Sequence, residues 1–320
     1  RRPPRSTPSN SSAASDVYKR QAIRRALSRA GNFHDHIEVQ HTDEVIGMDD
    51  PPVEALRAKP NSSIAVMAEM HKNGELDACI SAGNTGALVA AAQMRLRRLR
   101  GAHRPGIAAC IPTFRGPVVV CDVGANLYCR PQHLYQYGVM ASVYARTIYG
   151  VKNPRVGLLS IGEEDAKGTN LVKQTNELLK SDKSIIFVGN VEGRDLFRGV
   201  CDLMVCDGFV GNVVLKLVEG MAEGVIMGLL KELTGSLKGA WGLLGAKIKK
   251  TAREIITKYD FNEHGGAPLL GVNGICIICH GASSWRGFMN AVRVAKDCAK
   301  YQVNRRITDL LSQAEGTAHA

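Results

Sequence analysis

In residues 76–100, LDACISAGNTGALVAAAQMRLRRLR, a short apolar run stops at Ser81-Ala82-Gly83-Asn84-Thr85-Gly86, and an alanine- and leucine-rich helical pattern starts at once. Strand, tight polar turn and helix in that order point to an α/β fold. The turn also has the makings of an anion site. The first backbone N–H groups of a helix have no intrahelical partner, and the helix dipole adds positive partial charge there. Ser81, Gly83, Asn84, Thr85 and Gly86 are therefore read as a phosphate cradle, although such turns also occur as plain βα connections. Neither GxGxxG nor GxxxxGK[ST] occurs, which favours phosphate or a small phosphorylated ligand over a dinucleotide or nucleoside triphosphate.

The same alternation continues along the chain. Strand-like runs stand at 107–111, 118–122, 156–160, 185–188, 203–206 and 275–279, with a weaker one at 37–40. Helical patterns cover 62–72, 131–147, 168–180, a long stretch after Asn212, and 284–301. Short apolar strands between helices predict a mostly parallel sheet covered on both faces. Four more strands end in Gly/Asn/Asp loops: Asp122-Val123-Gly124-Ala125-Asn126, Ser160-Ile161-Gly162-Glu163-Glu164, Gly189–Asp195 and Asp207–Asn212. In a parallel sheet all these ends share one edge, so the loops and the SAGNTG turn are expected to converge on one crevice.

Composition narrows the class. At 320 residues and 45% apolar content the chain can bury a large core. Nine cysteines, mostly inside apolar runs and odd in number, read as free thiols of a reducing cytoplasm. Cys276 and Cys279 form a CxxC, but in a strand they point to opposite faces, and no second pair accompanies them. No apolar run reaches the roughly 18 residues needed to span a membrane. The net charge of +11 is uneven: seven Arg and Lys face only Asp16 in the first 25 residues. Residues 1–21 are rich in Pro, Ser and Arg, contain no signal-peptide core, and are expected to be a disordered, non-native leader.

SAGNTGALVAAA, DVGAN, NPRVGLLSIGEEDAKG, GNVEGRD, DGFVGNVVLK and GGAPLLGVNG, in this order, closely resemble the PlsX family of bacterial acyl-ACP:phosphate acyltransferases. The match runs over about 22–305. The resemblance implies a three-layer α/β/α sandwich similar to phosphotransacetylases and isocitrate-dehydrogenase-type enzymes, usually homodimeric. It also implies transfer of a fatty acyl group from acyl carrier protein to inorganic phosphate, giving acyl phosphate for glycerolipid synthesis, with no cofactor. Family members open with a strand and an Asp-Ala-Met-Gly-Gly-Asp loop, a helix and a second strand, which this chain lacks. A truncated fragment with an exposed sheet edge and poor solubility is the corresponding expectation. Residues 22–305 are read as one acyltransferase domain with an amphipathic excursion at 228–258, and 306–320 as a flexible tail.

Phosphorolysis of a thioester needs no protein nucleophile, since phosphate attacks the carbonyl and a thiolate leaves readily. The site must supply an anion cradle, oxyanion donors and positioning. Asn84 joins the cradle, Asn126 and Asn212 are candidate oxyanion donors, and Lys167 or Lys216 can offset phosphate charge. Each has an ordinary alternative: Asn beside Gly serves turns, Lys216 suits a solvated face, and Lys167 suits Glu163-Glu164-Asp165 as ion-pair partners. That acidic run is read as a helix start, so no metal is assigned. His264 and His280 are further candidates for protonating the leaving thiol.

Two surfaces suggest partners. Arg95, Arg97, Arg98, Arg100 and Arg104 form a basic cluster that suits acidic acyl carrier protein. Aromatics total 5% and none interleaves with the arginines, which argues against nucleic acid. In 228–258, Leu237, Trp241, Leu244 and Ile248 make one helical stripe, with Lys247, Lys249 and Lys250 among seven basic residues. Basic on one side and tryptophan-bearing on the other, it suits an anionic membrane surface, or else a dimer interface. The reading is thus a cytoplasmic enzyme peripheral to the inner face of the cell membrane. A short-chain acyl-CoA phosphotransacetylase, a nicotinamide-dependent oxidoreductase of the same fold and an inactive membrane-binding fragment remain as rivals.

Overall fold

The structure is a computed structural model that describes residues 24–29, 37–236, 265–281 and 283–318. Eight strands form one sheet: β1 (Cys79–Ser81), β2 (Gly106–Ile111), β3 (Val118–Cys121), β4 (Arg155–Leu159), β5 (Ile186–Val191), β6 (Leu203–Val205), β7 (Ala267–Leu270) and β8 (Cys276–Ile278). Their spatial order is β1-β8-β7-β2-β3-β6-β4-β5. The helices are α1 (Pro52–Ala58), α2 (Ser63–Lys72), α3 (Thr85–Ala91, continued by a π-turn Ala92–Leu96), α4 (Pro131–Ile148), α5 (Asn170–Ser181), α6 (Gly208–Ser236), α7 (Trp285–Lys300) and α8 (Val303–Ala318).

Both faces of the sheet are covered, as the continuous apolar strands require. β2 and β3 are buried at every residue. On one face α4, α5, α7 and α8 bring Leu134, Tyr137, Leu179, Val294 and Ile307 into a single cluster with Val119, Leu158 and Val205. On the other, α3, its π-turn and α6 bring Val89, Leu96 and Val214 against Ile107, Val120 and Met204. Cys276 lies in the second cluster and Cys279 in the first, the opposite-face placement expected of residues three apart in a strand. Among the described residues no helix is long and apolar enough to cross a membrane.

The pairing is mixed in one consequential way. β3, β6, β4 and β5 run parallel to one another, but β2 is antiparallel to both β3 and β7, and β7 is antiparallel to β8. β1 is parallel to β8 and therefore runs against the β3 group. The carboxyl ends of β3, β6, β4 and β5 define an upper edge, whereas β1 ends on the lower one. β7 carries no strand signal in the pattern, because a proline and flanking glycines mask its four residues. Residues 37–40 form no strand. The expected tail at 306–320 is instead mostly α8, because Val303, Ile307 and Leu311 recur at helical spacing and bury against α4.

His71 ties distant segments together. Its Nδ1 bonds the Leu76 carbonyl at 2.6 Å, and its Nε2 accepts from the Ile275 N–H at 3.0 Å, which fixes a neutral ring with the proton on Nδ1. The end of α2, the entry to β1 and the entry to β8 thus meet on one imidazole. His71→Leu is expected to lower the unfolding free energy by about 1–3 kcal/mol, the cost of leaving both groups unpaired. Urea unfolding of the two proteins measures this, and equal midpoints would show the clamp to be idle.

Candidate active site at the carboxyl ends of β3, β6 and β4

Asp122 follows β3 directly and is fully buried. Its Oδ1 accepts from the backbone N–H groups of Ile107 (3.0 Å), Gly124 (3.0 Å) and Ala125 (2.9 Å). Its Oδ2 accepts from the Asn126 backbone (2.8 Å) and side-chain amide (3.2 Å). A carboxylate gathering the N–H groups of the residues after it winds that loop around itself. Burial pushes the Asp122 carboxyl up, opposed by the donors at Ala125, Ile107, Asn126 and Gly124. The Asn126 amide also reaches the Pro105 carbonyl (2.6 Å) and the Tyr137 hydroxyl (2.8 Å).

The first turn of α6 arrives against this loop. Gly208 N–H donates to the Asn126 carbonyl at 2.9 Å, and Asp207 caps the helix through the Val210 N–H at 2.9 Å. Gly211 lies directly against the Asp122 carbonyl, so close that a Cβ would overlap the oxygen. Gly124, at φ +140°, faces Asn212: a Cβ there would stand 3.8 Å from Asn212 Cγ. Asn212 itself is exposed. In the loop that follows β4, Lys167 lays its stem over Gly162 and is exposed, with no ion pair among the described residues. The acidic run does not hold it: Asp165 is engaged by Lys180 and Asn176. Asn212, the Gly124 loop and Lys167 therefore line the ends of three adjacent strands.

Other expected residues behave differently. The SAGNTG turn does not join this edge, because β1 runs the opposite way and ends on the lower one. Nor is it an open cradle. Asn84 caps α3 itself, accepting from the Ala87 N–H at 2.9 Å, while its amide reaches the carbonyls of Gly47, Met48 and Asp50. Ser81 Oγ accepts from Gly83 N–H, Gly86 packs on Pro52, and Thr85 begins α3. The Asn84 side chain is thereby committed to the fold, to the Ala87 N–H on one side and the 47–50 carbonyls on the other. Asn126 is a structural tie rather than an open oxyanion donor, since its amide is spent on Asp122, Pro105 and Tyr137. Lys216 shares its charge with Glu219 at 2.7 Å. His280 follows β8 on the lower edge, and His264 lies outside the described residues, as do 1–21 and Leu237, Trp241, Leu244, Lys247, Ile248, Lys249 and Lys250.

The arginine cluster divides. Arg95 turns to Glu69 at 3.3 Å, whereas Arg98 bonds the His103 carbonyl on the upper rim. Sequence reading noticed the DVGAN loop but missed Asp122 as its organiser, along with Tyr137 and Gln136. The signal available was an acid opening a Gly-containing loop directly after an apolar strand. Cys129 stands beside Asn126 and Tyr137, but burial pushes its thiol up to about 11, so it is no thiolate nucleophile at neutral pH. Ser160, directly after β4, keeps its hydroxyl enclosed without a hydrogen-bond partner among the described residues.

Comparison with known proteins adds identity to this geometry. The sequence model of a family described as "Fatty acid synthesis protein" matches residues 17–306. A phosphate acyltransferase of Geobacter sulfurreducens is 47% identical over 283 residues, covering 88% of this chain and 81% of the relative. Another, of Nitratidesulfovibrio vulgaris, is 43% identical over 301 residues, 93% of this chain and 86% of the relative. Among solved structures, EutD phosphotransacetylase from Staphylococcus aureus is similar in fold, with a TM-score of 0.51 at 14% identity over 91% of this chain and 84% of its own.

Proposed function

The chain belongs to the fatty acid synthesis protein family, the PlsX family of phosphate acyltransferases, and from that premise we propose that it moves a long-chain acyl group from acyl carrier protein to inorganic phosphate at the upper edge. A phosphate oxygen attacks the thioester carbonyl, a C–O bond forms as the C–S bond breaks, and the thiolate leaves to take a proton from solvent. No protein nucleophile takes part, in keeping with the raised Cys129 thiol.

The observation that carries this reading is the exposed Asn212 side chain facing the Gly124 loop, with Lys167, which makes no ion pair among the described residues, in the loop after the adjacent strand β4. Lys167 offsets the charge of the attacking phosphate, and Asn212 donates to the oxyanion. The first turn of α6 orients Asn212, while Asp122 and Asn126 hold the facing loop. Residues 22–305 act as one domain in this reading. A lipophilic product and the basic, tryptophan-bearing sequence of 228–258 support peripheral contact with an anionic membrane from the cytoplasm. The exposed apolar face of α6, with Val213, Leu217, Met221 and Val225, supports pairing with a second copy.

Acyl-phosphate formation from long-chain acyl-ACP and phosphate tests the proposal, with acetyl-CoA as the rival donor. Turnover is expected with acyl-ACP, and Lys167→Ala and Asn212→Ala are each expected to lower kcat about 100-fold. Turnover with acetyl-CoA alone would assign the short-chain phosphotransacetylase reaction instead. Unchanged kinetics in Asn212→Ala would remove that residue from the mechanism.

A further inference from the structure

We propose that the upper rim beside Asn126 is the docking platform for the acidic carrier that delivers the acyl thioester, built from Arg98, His103, Arg104, Arg130 and His133. The proposal rests on the reading of the donor as a carrier protein and gives that carrier a place to bind.

Two segments far apart in sequence meet here. The connection from α3 to β2 supplies Arg98, His103 and Arg104, and the start of α4 supplies Arg130 and His133. Gln136, nearly buried on α4, locks them together: its Oε1 accepts from the His103 N–H at 2.7 Å, and its Nε2 donates to the Gly101 carbonyl at 2.8 Å. Arg98 bonds the His103 carbonyl, His133 Nδ1 accepts from the Arg130 N–H, and the two imidazoles stand 6.4 Å apart. The platform is therefore fixed before any partner arrives, which spares ordering cost on association.

Its field is positive and uncompensated. Arg98, Arg104 and Arg130 make no ion pair among the described residues. His133 registers the consequence, held below its ordinary value by burial and then by the charges of Arg104, His103, Arg130 and Arg98. Beside these cations, Leu127 is 59% and Tyr128 94% exposed, in the same loop as Arg130. Exposed tyrosine with arginine is the composition of a protein-binding hot spot.

Position selects the partner. Arg130 lies four residues beyond Asn126, and Arg104 precedes Pro105, whose carbonyl receives the Asn126 amide. Both arms of the platform thus flank the node that holds the loop facing Asn212. A carrier seated there presents its thioester to the reaction edge. A lipid surface laid over the same rim would instead obstruct a carrier-borne substrate.

The test compares Arg104→Glu/Arg130→Glu with the parent protein on two donors, long-chain acyl-ACP and the carrier-free thioester acyl-pantetheine. Expected is a KM for acyl-ACP raised at least about tenfold at low salt, with the difference shrinking as salt is added, while kinetics with acyl-pantetheine stay within about twofold. Arg104→Gln/Arg130→Gln, which adds no new charge, is expected to give about a threefold rise. Thermal melts monitor folding of both variants. If the parent uses acyl-ACP and neither variant changes its KM, the platform is refuted and the donor stands. Equal losses on both donors would make the arginines part of the chemistry or the fold, again refuting a dock. Loss confined to binding of phosphatidylglycerol vesicles would assign the rim to lipid. A parent that turns over acyl-pantetheine but never acyl-ACP would overturn the donor itself.

Discussion

Gly211→Ala is expected to lower the unfolding free energy by about 3 kcal/mol or more and to remove activity with it. Ordinary overpacking is relieved by a rotamer change, but here both sides are backbone. The new methyl would overlap the Asp122 carbonyl oxygen and lie 2.9 Å from the Asp122 carbonyl carbon and from Cys206 Sγ. Cys206 is buried at the end of β6, so it has nowhere to go. The only relief is to lift the start of α6 from the end of β3, which breaks the Gly208–Asn126 hydrogen bond and carries Asn212 away from Gly124. Gly220→Ala is the control. Among the described residues nothing outside the helix's own backbone lies within 4 Å of a Cβ there, and alanine gains up to about 1 kcal/mol of helix propensity over glycine. Urea unfolding of the pair should separate them by several kcal/mol. A Gly211→Ala protein as stable as its parent would refute the backbone contact and with it the assembled edge.

Most of the layers were legible because periodicity reports burial, and burial is a local property of each segment. The runs at 107–111, 118–121 and 203–205 are apolar at nearly every position because they are covered on both faces. Strand direction is not local. Nothing within CISAGNTG says that β1 pairs with β8 and runs against β3, so the SAGNTG turn was assigned to the wrong edge. The partners of Asn84 are no more local than the strand direction. The Asn84 side chain is engaged within the fold: its Oδ1 accepts from the Ala87 N–H, and its amide donates to the carbonyls of Gly47, Met48 and Asp50. The positions of Asn212 and Lys167 at the upper edge were legible because each follows a strand of the parallel group. Arg130 and His133 were not, since only tertiary packing on Gln136 brings them beside Arg104.

Asp122 carries the second large effect. Asp122→Ala would leave the N–H groups of Ile107, Gly124, Ala125 and Asn126 without their acceptor inside a closed environment. The expected loss is about 3–5 kcal/mol of stability, short of the sum of individual bonds because the loop relaxes. Asp122→Asn keeps the shape and one acceptor but turns an N–H₂ toward donors, and about 1–3 kcal/mol is expected. The acid side gives an independent check. Burial holds this carboxyl above its ordinary value in the fold, so its contribution is fully present below about pH 3.8 and is lost as pH rises through the folded value. The difference in unfolding free energy between parent and Asp122→Asn should therefore shrink as pH climbs from about 3.5, other carboxyls cancelling in the subtraction. A difference that grew instead would mean that the N–H donors outweigh burial and that the carboxylate is held down. Activity separates positioning from mere stability. Well below the melting temperature of Asp122→Asn, a loosened Gly124 loop should lower kcat about 100-fold, with the KM for phosphate changing far less, because misplacing a facing wall by about 1 Å weakens the transition state more than the encounter. Full kcat in a folded Asp122→Asn protein would reduce Asp122 to a stabiliser and leave Asn212 to act without the loop it faces.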